Sequence, residues 1–209
     1  MVNSMGDAES GFWSKLSVSE RRVEMNLQDK TMAILVAEGV EDLEYYVPLM
    51  RLQEEGAHVF TAGLDLKPIH GKHGLEITPD ATIESLKAEE LDALVIPGGW
   101  APDKLRRYDV VKNLVREMDS AGKVVGIICH AGLVAISAGI IKPGQNTTGS
   151  FGIKDDLINV GAVWTDEAAF RERNQVWGRV VADIPDFCRE LVKALTEITA
   201  GEGAQNVRK

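Results

Sequence analysis

A cysteine and a histidine, Cys129 and His130, stand side by side at the end of an apolar run. The residues before them, Val124–Ile128, are apolar apart from one glycine, which predicts a buried strand that turns abruptly into a helix. A thiol at such a turn lies at the positive end of the helix dipole, which favours the nucleophilic thiolate. Ala131 and the glycine after it are small enough for a sharp turn. The pattern predicts a nucleophilic cysteine, although a lone cysteine is more often a small core residue.

Two further segments carry groups that suit a cysteine-based reaction. Gly98 and Gly99 follow a predicted strand and lead into a helix, so their backbone N–H groups, with the amide after the cysteine, can form an oxyanion hole. Glu41 follows the first predicted strand, and its carboxyl group can hydrogen-bond to the sulfur and move a proton. Each signal is ordinary alone, since paired glycines usually form a turn and a glutamate before a helix is usually a surface charge. Together they predict one reactive edge of a sheet.

A regular alternation of strands and helices, beginning near residue 31, would position these groups. We predict strands at 32–37, 58–62, 93–96, 124–128, 146–148, 162–164 and 175–177. We predict helices at 42–55, 103–121, 153–160 and 186–198, with a further one after the cysteine, and a β-ribbon at 68–78. The alternation indicates a largely parallel sheet with helices on both faces, where ligands bind at the carboxyl ends of the strands.

Composition limits the classes of protein to consider. The chain has 209 residues, 44% of them hydrophobic, which is enough for one full core. We expect an N-terminal extension at 1–29 that is partly disordered or docks at an interface, a single domain at 30–200 and a flexible tail at 201–209. A net charge of -9 argues against nucleic-acid binding, and no apolar run suggests a membrane span. Two cysteines in different contexts, with no signal-peptide pattern, lead us to expect a reducing cytoplasm.

Several segments resemble the PfpI-type intracellular cysteine peptidase and deglycase family, part of the ThiJ/PfpI superfamily related to class I glutamine amidotransferase domains. The matching motifs lie at 41–44, 71–74, 95–99, 128–130, 136–139 and 152–162. The resemblance runs from about residue 31 to 195 and implies a flavodoxin-like three-layer sandwich. It also implies a Cys129 nucleophile with Glu41 bonded to the sulfur, and an oxyanion site made by the amides of Gly99 and His130. It further implies homodimers, or hexamers built from dimers, with active sites near subunit interfaces.

Four positions depart from the family pattern. Ala131 stands where the family usually has glycine, and Trp100 stands where many relatives have a small or basic residue. Asp103, one carbon shorter than the glutamate of some relatives, stands at an acidic position that, in peptidase-like members, orients the histidine from a neighbouring subunit. We therefore expect a relay from His130 to Asp103. Trp177 lies in a segment that commonly reads Thr-Ser-Arg. We expect the two tryptophans to line the pocket.

The resemblance implies an enzyme that protects against reactive carbonyl compounds, either glyoxalase-like or a deglycase. Cys129 would add to the aldehyde and Glu41 would move protons, with no metal or nucleotide cofactor. One alternative is a peptidase, or a hydrolase of amides or isonitrile-type bonds, that uses Cys129, His130 and Asp103. Another is a redox-sensing or chaperone-like stress protein in which Cys129 is oxidised. Substrates would be small carbonyls or peptides. His70 and His73 lie in the ribbon without a cysteine or carboxylate cluster beside them, so we expect them to be surface or interface residues and not metal ligands.

Overall fold

The part of the chain that the structure describes begins before the predicted domain boundary. A computed structural model describes the backbone of residues 26–206 and the side chains of residues 26–197. The predicted extension at 1–29 lies outside this part except for its last four residues. Among these four, Leu27 is fully buried, and its N–H donates to the carbonyl of Glu55 at 2.9 Å. The folded unit therefore includes residues before position 30.

A largely parallel sheet forms the centre of the fold, as predicted, and it has seven strands. In chain order the strands are β1 (Thr31–Leu35), β2 (His58–Gly63), β3 (Ile69–His70), β4 (Glu76–Ile77), β5 (Ala81–Thr82), β6 (Ala93–Ile96), β7 (Val124–Ile128), β8 (Asn146–Thr147), β9 (Val163–Trp164), β10 (Ala169–Glu172) and β11 (Gln175–Gly178). The sheet order is β10-β11-β7-β6-β1-β2-β5, and every pair is parallel except β10 with β11. Every residue of β6 and β7 is buried, as expected for central strands covered on both faces.

Helices pack around the sheet and complete a flavodoxin-like sandwich. They are α1 (Asp42–Glu54), α2 (Ala101–Leu105), α3 (Asp109–Ser120), α4 (Gly132–Ala138), α5 (Lys154–Asn159) and α6 (Ile184–Asn206). Helix α1 packs against α6, and α3 packs against α4. Most of the predicted tail at 201–209 is helical because α6 continues to Asn206, and residues 207–209 lie outside the described part. None of the helices described is long and apolar enough to cross a bilayer.

One predicted element was wrong, and two strands of the sheet, β5 and β10, were not predicted. The single helix predicted at 103–121 is two helices, because Tyr108 adopts an extended conformation (φ -99°, ψ 127°) between α2 and α3. Strand β10 was missed because its four residues, Ala-Phe-Arg-Glu, are all half-buried and show no clear alternation of apolar and polar side chains.

The β3–β4 ribbon is held against the start of α1. Both carboxylate oxygens of the buried Asp42 accept backbone N–H groups of the ribbon, from His73 at 2.8 Å and from Leu75 at 3.0 Å. A side chain at Gly71 would collide with the same carboxylate, 2.3 Å from its Oδ1. This packing places Lys72 and His73 beside the carboxyl end of β1.

Candidate active site

Cys129 lies at a strained turn between β7 and α4. Its φ is +61°, in the left-handed region that residues other than glycine rarely adopt. Residues 129–131 form a single 3-10 turn that leads directly into α4. Gly98 makes the close approach possible, because a Cβ there would lie 2.7 Å from the Cβ of Cys129. The structure therefore has the predicted strand-to-helix turn with the thiol at its apex.

Two backbone N–H groups point at the sulfur. They belong to Gly99 and His130, and both stabilise the thiolate by hydrogen bonding. Gly99 has a φ of +75°, and a Cβ there would lie 2.5 Å from the backbone nitrogen of Glu41. Glycine is thus required at this position, and the two predicted oxyanion donors converge on the cysteine.

The carboxyl group at the sulfur is Glu44, so the prediction that Glu41 bonds to it was wrong. The Glu44 side chain is fully buried and interacts with the Cys129 thiol, while its Oε2 accepts the N–H of Gly98 at 2.7 Å. The physical reason is helical spacing: Glu44 shares the buried face of α1 with Pro48, four residues later. Glu41 precedes the helix, and its side chain points toward Lys72 and His73.

Glu44 and Cys129 form a coupled acid–base pair. Burial raises the pKa of Glu44 from 4.5 to about 7, against the lowering effect of the Gly98 N–H. Burial, together with the charge of Glu44, raises the pKa of Cys129 to about 12. Oε1 of Glu44 is buried and has no hydrogen-bond partner of standard geometry among the described residues. A proton shared with the sulfur would satisfy this oxygen, and the pair loses its two protons in separate steps.

Glu41 lies in the wall of the cavity. Its Oε2 is 3.4 Å from Nζ of Lys72, and its Oε1 is 3.1 Å from Nε2 of His73. Contrary to expectation, His73 therefore has carboxylates beside it, since Glu41, Asp42 and His73 could each offer a ligand atom to one metal ion. The group suits a cation poorly, because Lys72 adds a positive charge and both Asp42 oxygens already accept backbone N–H groups.

His130 touches the nucleophile, but the predicted relay does not form within the described chain. Nδ1 of His130 is 3.3 Å from the Cys129 sulfur. Burial, with a smaller contribution from Lys72, lowers the pKa of His130. Asp103 forms an ion pair with Arg107 on the exposed surface of α2 instead. A link between His130 and Asp103 of a second copy stays a prediction.

A cavity of about 650 Å³ opens above the sulfur. Of the predicted site residues, its lining includes Glu41, Gly99, Trp100, Asp103, Cys129 and His130. Ala131 is fully buried outside the lining, and Gly98 lies beneath the site against Glu44. Trp177 is also fully buried, so the prediction that it lines the pocket was wrong. It lies on the inner side of β11, where its Nε1 donates to Oε1 of Gln175 at 3.2 Å.

Trp177→Ala is expected to lower the free energy of unfolding by about 3–5 kcal/mol, because it empties a large volume in the core. Trp100→Ala, which removes a side chain that is 61% exposed, is expected to cost less than about 1 kcal/mol. Urea unfolding of both variants beside the wild-type chain measures the difference. Equal losses for the two variants would contradict the assignment of Trp177 to the core.

The comparisons with known proteins agree with this architecture. The family model described as the DJ-1/PfpI family matches residues 30–194. A protein of Pyrococcus horikoshii named as a deglycase is 42% identical over 161 residues, 77% of this chain and 96% of the relative. A Bacillus subtilis protein provisionally named as a cysteine protease is 36% identical over 167 residues, covering 79% of this chain and 98% of the relative.

Among solved structures, a two-domain protein from Anabaena variabilis with a DJ-1/ThiJ/PfpI-like and a ferritin-like domain matches with a TM-score of 0.77 and 35% identity. The match covers 79% of this chain and 48% of that protein. It thus extends over about half of that chain.

Proposed function

The chain belongs to the DJ-1/PfpI family, and on that basis we propose that it is a cysteine-dependent enzyme acting on reactive carbonyl compounds, of the glyoxalase or deglycase type. The single observation that carries the proposal is the buried pair of Glu44 and Cys129 beneath an open cavity. The deglycase name of a relative at 42% identity supports the class of substrate.

The first step would be addition of the Cys129 thiolate to the aldehyde carbon of a 2-oxoaldehyde. A sulfur–carbon bond forms, and the carbonyl electron pair moves to the oxygen, where the N–H groups of Gly99 and His130 stabilise the charge. Protonated Glu44 supplies the proton that completes the hemithioacetal. Glu44 is left as a carboxylate beside the carbon–hydrogen bond of the former aldehyde carbon.

The second step would move one proton between adjacent carbons. The Glu44 carboxylate removes the proton from the carbon that bears sulfur, the hydroxyl proton passes to the neighbouring oxygen, and Glu44 returns its proton to the neighbouring carbon. The product is a thioester of a 2-hydroxy acid, which water hydrolyses to release the acid and restore the thiol. The net reaction adds one water molecule, so it requires neither an oxidant nor a reductant.

A peptidase is the second candidate. Two observations favour a peptidase: Nδ1 of His130 lies 3.3 Å from the sulfur, and the Bacillus subtilis relative is provisionally named as a cysteine protease. Acyl transfer by this route needs His130 as a general base. Its lowered pKa makes it a weaker base, and Asp103 of the same chain does not orient it because Asp103 is paired with Arg107. A peptidase would therefore need a second copy of the chain to supply the acid.

Our proposal includes a homo-oligomer, either a dimer or a hexamer built from dimers, in the cytoplasm. Three apolar side chains spaced along one face of α1 are substantially exposed: Leu43, Val47 and Met50 at 48%, 38% and 61%. Apolar side chains at this spacing form a stripe that suits contact with another copy.

The test is to incubate the full chain with methylglyoxal and, separately, with a fluorogenic peptide. We expect lactate, measured by NMR, and no peptide cleavage. Peptide cleavage that is lost in Asp103→Ala, without lactate, would replace the proposal by the peptidase. If neither substrate reacts and mild peroxide adds two oxygens to Cys129, the redox-sensing function replaces it.

A further inference from the structure

The cavity is much larger than the carbonyl group that the proposed chemistry requires. Its volume of about 650 Å³ falls in the range of pockets that enclose drug-sized ligands, and methylglyoxal would fill a small part of it. Five of the thirteen lining residues are apolar: Trp100, Leu133, Val180, Val181 and Ala182. We call these five residues the apolar wall, and they offer more apolar surface than a methyl group could cover.

Most of the charges in the lining are paired. Lys72 and Lys104 are cations, and Glu41 and Asp103 are carboxylates. Lys72 is paired with Glu41, and Asp103 is paired with Arg107. His130 adds no charge near neutral pH because its pKa is lowered. The four lining groups sum to no net formal charge, but Arg107 offsets Asp103 from outside the lining, so the charge left over is the positive charge of Lys104.

Trp100 presents an oriented aromatic surface at this wall. Its backbone N–H donates to the carbonyl of Gly39 at 2.8 Å, and Gly99, the residue before it, supplies an N–H to the sulfur. Gly39 lies under the indole, because a Cβ there would be 2.9 Å from Cε3 of the ring. The ring is nevertheless 61% exposed. An indole fixed from below and open to the cavity can stack against a flat substrate group.

We propose that Trp100 selects 2-oxoaldehydes that carry an aromatic group over those that carry a methyl group. This inference rests on the proposed function and adds the substrate class. With the aldehyde carbon at Cys129 and its oxygen at the N–H of Gly99, the adjoining ketone substituent extends along the apolar wall. An aryl substituent would cover the indole and displace water from it, which a methyl substituent cannot do.

The test compares kcat/KM for phenylglyoxal and for methylglyoxal in the full chain and three variants. The ratio of the two values is expected to fall about tenfold in Trp100→Ala and to be largely retained in Trp100→Phe. Tyr108→Ala is the matched control, since Tyr108 is an aromatic residue of similar exposure (48%) that does not line the cavity. An unchanged ratio in Trp100→Ala would overturn the inference. The inference would also be overturned if Trp100→Ala lowered kcat/KM equally for both substrates and changed the molar mass measured by light scattering. Trp100 would then act in the contact between copies of the chain.

A second readout separates failure of the inference from failure of the proposed function. Alkylation of Cys129 by 2-bromoacetophenone or by bromoacetone, in which the thiolate displaces bromide, is followed by intact mass and needs no turnover. If the wild-type chain converts neither aldehyde, the proposed function fails. The aromatic preference still stands if the ratio of alkylation rates falls in Trp100→Ala, and it is overturned if that ratio is unchanged.

Discussion

Glu44→Gln is expected to lower kcat/KM for methylglyoxal about a hundredfold or more, whereas Glu41→Gln lowers it less than tenfold. Glu44 is the carboxyl group that contacts the Cys129 thiol, and its pKa of about 7 suits a group that both gives and takes a proton near neutral pH. Glu41 instead pairs with Lys72 and His73 in the cavity wall. Initial-rate kinetics at pH 7 on the two variants measure the contrast.

The glutamine variant is a sharp test because it changes little else. An amide oxygen can still accept the N–H of Gly98, so the side chain keeps its anchor while losing its titratable proton. Circular dichroism and thermal unfolding verify that both variants are folded. A large loss in Glu41→Gln with near wild-type rates in Glu44→Gln would reverse the assignment of the two glutamates.

Cys129→Ser is expected to reduce lactate formation to background, a loss of about a thousandfold or more. A serine hydroxyl is far less acidic than a thiol, so a carboxylate as weakly basic as Glu44, with a pKa of about 7, leaves it protonated and a poor nucleophile toward the aldehyde. The polar environment of the turn is otherwise preserved. The measurement is lactate by NMR at saturating methylglyoxal.

Cys188→Ala is the matched control for the nucleophile. Cys188 is buried in α6, and burial raises its pKa to about 11, so it is expected to be an inert core residue. This variant should keep the wild-type rate. Lactate formation that survives in Cys129→Ser and is lost in Cys188→Ala would contradict the proposed nucleophile.

The general architecture and the position of the nucleophile could be predicted from local patterns. The residues of β7 are apolar apart from one glycine, which predicts a buried strand. The small residues around Cys129 permit a sharp turn from strand to helix, so all three elements follow from the local sequence. The paired glycines at 98–99 were equally informative, because close approach of the backbone leaves no room for a Cβ. The turn depends on neighbours in the chain, whereas the glycines are required by contacts with distant residues, Cys129 for Gly98 and Glu41 for Gly99.

The identity of the carboxyl partner depended on which face of α1 is buried. The signal was present in the sequence, since Glu44, Pro48 and Leu52 recur at the helical spacing of a buried face, where a glutamate is unusual. The position of Trp177 could not be predicted in the same way. Whether a residue of β11 faces the core or the cavity is set by its register with β7, which pairs Trp177 with Ile127.

The most direct test of the Glu44–Cys129 pair is the pH dependence of Cys129 alkylation by iodoacetamide, measured in the Cys188→Ala background. Well below pH 7 the pair carries two protons, and loss of the first, near the Glu44 pKa of about 7, leaves one proton that the carboxylate and the sulfur share. The thiolate is the minor form of this one-proton pair, in which the proton lies on Glu44, because the pKa of Cys129 is the higher of the two. The rate is therefore predicted to rise between about pH 6 and pH 8. Glu41→Gln should keep this rise. Glu44→Gln should lose it and react only at higher pH, because burial still keeps the thiol protonated near pH 7 and no carboxylate is left to take its proton. A rise near pH 7 that persists in Glu44→Gln would contradict the account.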